Sequence, residues 1–76
     1  MRSLYNKSMK LKVNAVTSNE YKNGSTILEL LNHHKIENVP WLVVSVNGIF
    51  IPKDQFGTHV LNDGDVIELV YVQGGG

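Results

Sequence analysis

The chain has 76 residues, 42% of them apolar and 18% charged, which fits one small folded domain with too little interior for both a full core and a deep substrate cavity. Seven basic residues balance seven acidic ones, so the electrostatic footprint of a nucleic-acid or anionic-membrane binder is missing. There is no cysteine, which removes a disulfide framework, a thiolate zinc site and a thiol nucleophile together.

No apolar run approaches the ~20 residues of a membrane span, and the first residues lack the apolar core of a signal peptide. The default expectation is a cytoplasmic domain. Residues 1–8 are polar and aperiodic apart from Leu4 and Tyr5; they read as a flexible extension preceding a domain over 9–72. Met9-Lys10-Leu11-Lys12-Val13-Asn14 alternates apolar and polar residues, the period of a half-buried strand. Met9, Leu11 and Val13 should face the core, and the lysines a solvated face. Ala15 to Lys22 reads as a turn and a second strand with Val16 and Tyr21 as its apolar contacts, closing an antiparallel hairpin.

Ser25 to Leu31 opens a helix of about 8–9 residues, too short to persist unless one face packs on the sheet. Thr26 and Glu29 fit a T-x-x-E capping box. Ile27, Leu30, Leu31 and His34 fall on one face at i, i+3, i+4 and i+7. His33-His34 invites a metal reading. Adjacent helical residues diverge by about 100°, however, and no partner sits at ligand spacing, so the pair is expected to serve the helix end and no metal site is expected.

Lys35 to Pro40 connects onward, with Ile36 and Val39 as plugs at the core edge. Trp41 to Asn47 is the strongest strand pattern, with Leu42, Val44 and Val46 inward and Trp41 at the rim. Asn47-Gly48 signals a tight turn into the short strand Ile49-Phe50-Ile51, which Pro52 ends. Lys53 to Val60 reads as a turn or one helical turn. Asp63-Gly64-Asp65 is a turn rather than a calcium loop, since the other loop ligands are missing. In the last strand Ile67, Leu69 and Tyr71 should point inward and Glu68, Val70 and Val72 outward. Val70 and Val72 thereby become candidates for docking a partner.

Strand, strand, helix, strand, short strand, strand is the order of an α+β fold with one helix packed on one face of a mixed sheet of 4–5 strands. The first and last strands can pair in parallel at its centre, because everything between them supplies the crossover. That is the β-grasp, or ubiquitin-like, arrangement. Beyond the last strand the chain continues as Gln73-Gly74-Gly75-Gly76, a flexible tail over 73–76. Glycines bury nothing and are entropically expensive to order, yet they let a backbone enter a narrow channel. Four extended residues reach about 13 Å. A frayed end or a cloning remnant would look the same from the triplet alone.

The chain resembles the ThiS family, the sulfur-carrier proteins of thiamin biosynthesis. Four stretches carry the resemblance: Met9 to Asn14; Gly24-Ser25-Thr26-Ile27-Leu28-Glu29-Leu30-Leu31; Val46-Asn47-Gly48-Ile49-Phe50-Ile51-Pro52-Lys53; and Leu61 to Val70, closing on Gly74-Gly75-Gly76. Members often carry Gly where this chain has Ala15 and Arg where it has Lys53, and residues 1–8 have no counterpart.

The resemblance implies a carrier that is not itself an enzyme and holds no cofactor. A ThiF/MoeB-like adenylating enzyme would use ATP to activate the carboxylate of Gly76. Sulfur, supplied through a donor such as a cysteine desulfurase, would give a thiocarboxylate there, and a ThiG-like thiazole synthase would accept it. Gly75 and Gly74 would thread the tail into both active sites. Three other readings stand beside it: a MoaD-like carrier for molybdopterin synthase, a ubiquitin-like modifier of lysines, and a binding module with an irrelevant tail.

Overall fold

The computed structural model describes residues 8–72, so the expectations for residues 1–7 and for Gly74, Gly75 and Gly76 lie outside the described residues. The elements are β1 (Ser8–Val13), β2 (Val16–Lys22), α1 (Ile27–His33), β3 (Leu42–Val46), β4 (Ile49–Ile51), a 3-10 turn (Lys53–Gln55) and β5 (Val66–Tyr71). They form one five-stranded sheet in the order β2-β1-β5-β3-β4. β1 and β5 run parallel; the other neighbouring pairs are antiparallel. With α1 on one face, this is the β-grasp arrangement that the element order predicts.

The alternation of β1 and β3 sorts their side chains as expected. Met9, Leu11, Val13, Leu42, Val44 and Val46 are buried, and with Ile67 they floor the core. Ile27, Leu30 and Leu31 close it from the helix, Phe56 and Leu61 from the connecting loop. Ile36 and Val39 pack at its edge.

Both ends of α1 are locked by local chemistry. Glu29 N donates to Thr26 Oγ1 at 3.2 Å, and Thr26 N donates back to Glu29 Oε1 at 2.9 Å, completing the capping box. At the far end Lys35 takes a left-handed φ of 56°. Its N–H donates to Asn32 O, and Ile36 N–H to Leu31 O. These are the two bonds of a Schellman motif, which turns the chain and drops Ile36 onto the core beside Leu31. The helix therefore stops at His33, seven residues long. His34 is its C-cap and is exposed, a departure from the buried face on which helical periodicity would place it.

Two further positions differ from the alternating pattern. Val16 is 66% exposed; it lies at the start of an edge strand, where no element covers it. Tyr71 faces Leu42 on the helix side of the sheet yet is 52% exposed. Burial fades along that face from Ile67 through half-buried Leu69 to Tyr71, because the strand outruns the core. Trp41 precedes β3 and is exposed.

Both hairpins turn through two residues with positive φ, Asn14 (47°) and Ala15 (72°) in the first, Asn47 (53°) and Gly48 (82°) in the second. This is what a type I′ turn requires. Glycine meets it without strain; alanine does not, since its Cβ crowds the neighbouring carbonyl. Ala15→Gly is expected to stabilise the fold by about 0.5–1 kcal/mol. A higher urea midpoint at unchanged slope is the measurement that checks it.

Candidate functional site at the end of the last strand

The described chain ends where the glycine tail begins, so the site is built from what holds β5 in place. On one side β1 supplies a parallel ladder: Lys12 N donates to Asp65 O and Asn14 N to Ile67 O, each at 3.0 Å. β1 ends at Val13, but the Asn14 side chain carries the ladder further. Its Oδ1 accepts from Leu69 N at 2.8 Å, and its Nδ2 donates to Leu69 O at 3.2 Å. The left-handed backbone at Asn14 turns the main chain away while the side-chain amide acts as one more peptide of the strand.

Asn47 does the corresponding work on the other side. Val66 N donates to its Oδ1 and its Nδ2 donates to Asp65 Oδ1, both at 2.9 Å, while Asn47 N donates to Val66 O at 2.7 Å. Asp65, nearly buried, also accepts from Asn62 N through Oδ2. Asp63 Oδ1 accepts from Lys10 N at 2.7 Å. Each carboxylate of the Asp63-Gly64-Asp65 turn therefore engages a protein donor and shapes the entry to β5. At the exit, Val72 N donates to Trp41 O at 2.9 Å, which fixes the last described residue to the start of β3.

The face of the sheet away from α1 carries the candidate docking residues. Val70 lies opposite Val43, and Phe50 opposite Ser45. Continuing the register by one pair sets Val72 beside Trp41. Val70 and Val72 are each 51% exposed and Phe50 is 70% exposed, so the outward placement of both valines matches the alternation read from the sequence. Phe50 and Trp41 enlarge the apolar surface beyond that reading. Phe50 stands on a three-residue edge strand, too short for alternation to assign it a face. Exposed apolar side chains of this kind are what a docking surface would need.

A second group gathers at the opposite edge. Opposite Lys10 the β1·β2 register slips between Met9 and Leu11, a bulge that re-aims the strand's side chains. Glu20, next to buried Tyr21, meets the end of α1 there, with Oε1 3.3 Å from His33 Nε2. The His33 and His34 rings stand edge to face, centroids 5.0 Å apart, both tilted against Tyr21. The divergence of adjacent helical positions thus does not keep their nitrogens apart, because that angle describes Cβ directions and the imidazoles swing on two further torsions. The bulge that brings Glu20 to the histidines belongs to the pairing of two strands and leaves no mark in the sequence of either.

Among the described residues, one α-helix packed on a mixed sheet, with first and last strands parallel at its centre and a glycine-rich end following the last strand in sequence, defines a β-grasp protein of the ubiquitin-like class. The chain belongs to the ThiS family, whose sequence model matches residues 4–76. The match begins inside the 1–8 stretch that sequence reading sets apart as having no counterpart. Among solved structures the chain is similar to the crystal structure of the thiamine biosynthesis protein ThiS from Geobacter metallireducens. They share 30% identity over 90% of this chain and 100% of that one, with a TM-score of 0.78. It is also similar to the solution structure of a thiamine biosynthesis protein from the same organism, at 30% identity over 90% and 88% of the two chains and a TM-score of 0.71. No curated protein gives a significant match.

The double hydrogen bond from Asn14 to Leu69 is the most local of the devices that seat β5. Asn14→Ala should lower stability by about 2–3 kcal/mol, two hydrogen bonds at their usual net worth together with the strain of alanine at a φ of 47°. Urea denaturation reads the loss, and faster amide exchange at Leu69 locates it.

Proposed function

We propose that this chain is a sulfur carrier of thiamin biosynthesis whose reactive group is the carboxylate of Gly76. The observation that carries the reading is the seating of β5. The strand is hydrogen-bonded up to Leu69 on the β1 side and up to Val72 on the β3 side, exposes Val70 and Val72, and is followed in sequence by Gln73-Gly74-Gly75-Gly76. Membership of the ThiS family and the thiamine biosynthesis role that the Geobacter metallireducens relatives bear in their names support the same reading.

The chemistry asks little of the carrier and much of its partners. A carboxylate resists nucleophiles because its charge and resonance disfavour addition. A ThiF/MoeB-like adenylating enzyme overcomes this when a Gly76 oxygen attacks the α-phosphate of ATP and pyrophosphate departs. A persulfide sulfur, loaded by a cysteine desulfurase, then attacks the acyl carbon and AMP leaves. Cleavage of the resulting acyl disulfide by a second thiol frees the thiocarboxylate, which a ThiG-like thiazole synthase consumes. Gly74 and Gly75 thread the channels of both enzymes, where a Cβ would clash. Val70 and Val72, with Phe50, dock the body so that the tail enters in register. The carrier contributes no catalytic residue and binds no cofactor; ATP belongs to the activating enzyme. The steps run in the cytoplasm. No described helix is long and apolar enough to cross a membrane.

Intact-mass analysis after incubation with ATP, the adenylating enzyme and a sulfur donor should show one oxygen replaced by sulfur at Gly76. A Gly75→Tyr variant should retain the fold and fail this conversion. Normal conversion of that variant would overturn the threading role, and failure of the unaltered chain with a competent activating system would overturn the carrier reading. Val70→Asp, at an exposed position, should change stability by less than about 0.5 kcal/mol while weakening capture by the adenylating enzyme at least tenfold. An unchanged affinity would remove Val70 from the docking surface.

A further inference from the structure

We propose that Glu20, His33 and His34 form a binding site for one divalent transition-metal ion, zinc being the natural probe, at the edge of the sheet away from the docking face. One ligand atom from each residue lies within 4.8 Å of the other two. Glu20 Oε1 and His33 Nε2 stand 3.3 Å apart. Two ligands at zinc's bond lengths of about 2.0–2.1 Å in tetrahedral geometry stand about 3.3–3.4 Å apart, so this pair already has the required bite. The third ligand needs to close by at most about 1.5 Å to complete the same tetrahedral face. All three side chains are exposed, and rotations about their own torsions supply that movement without disturbing the core.

The surroundings suit an ion as well as the spacing does. Two imidazoles and a carboxylate are the donor set of zinc and its first-row neighbours. Glu20 is exposed, and its Oε1 already faces His33 Nε2. Behind His34, the Tyr21 hydroxyl lies 2.8 Å from Nε2. It can accept from Nε2–H when His34 ligates through Nδ1, the outer-sphere partner that metal-bound imidazoles normally have.

The bulge in β2 is the structural device that creates this grouping. In an unbroken strand Glu20 and Tyr21 would point to opposite faces; the extra residue opposite Lys10 brings both to the end of α1. Three protein ligands leave coordination positions open. Glu20 and His34 also line a groove of about 300 Å³, walled by Val13, Val16, Ile36 and Leu69, with room beside them for water or a small anionic ligand. The ion would tie an edge strand to the helix end and stands independently of the carrier chemistry at Gly76.

The test is zinc titration of the untagged full chain by calorimetry, with the histidine ring resonances followed by NMR. The expected result is one ion per chain, His33 and His34 ring signals moving together, and His59 unmoved. Glu20→Gln and His33→Ala, both at exposed positions, should each weaken binding at least tenfold, while His59→Ala leaves it unchanged. No binding at millimolar zinc would overturn the proposal. So would full affinity in Glu20→Gln, or a loss in His59→Ala equal to that in His33→Ala, since either would mean scattered association with surface histidines.

Discussion

The fold depends on one constraint: its last strand is seated in the middle of the sheet, with hydrogen-bonded neighbours on both sides. A parallel partner cannot be reached through a tight turn, so β1 and β5 enclose almost the whole chain as their crossover. Two asparagines resolve the awkward points of that seating. Each sits in a left-handed turn at the end of a hairpin strand, and each turns its side-chain amide back onto β5. Backbone that must bend away is replaced by a side chain that completes the ladder. Unpaired main-chain groups at the centre of a sheet would be costly, and the asparagines remove that cost where the neighbouring strands end.

Central seating also decides how the chain leaves the body. Termini attached to an edge strand fray with it. Here the last described residue, Val72, is bonded to Trp41 and follows a strand held to Leu69 on the β1 side and to Tyr71 on the β3 side. The sheet buries its inner face under the helix and leaves the outer one open. Val70, Val72 and Trp41 stand exposed near the exit, and Phe50 stands exposed further back on β4.

The two edges of the sheet are handled differently. β4 is cut to three residues, short enough to offer little template for another chain. β2 is longer, and its bulge breaks the regular edge while drawing Glu20 toward the helix. One irregularity therefore both blunts an edge and assembles a polar cluster from residues that lie far apart in sequence.

Sequence alone determined the elements whose signals are local. Period-two alternation located β1 and β3 and their buried sides, the T-x-x-E spacing located the helix start, and Asn47-Gly48 located its hairpin. The same alternation put Val70 and Val72 outward, because a strand's handed pleat leaves only two choices. Tertiary structure alone decided what depends on where an element ends or breaks. Tyr71 obeys the alternation and is nevertheless exposed, since the helix above it has stopped. Val16 is uncovered for want of a neighbour at the edge. His34 leaves the buried face because Lys35 adopts a left-handed turn that sends Ile36 inward instead. Glu20 finds the histidines only through a bulge, and a bulge is a mismatch between two strands that neither strand records by itself.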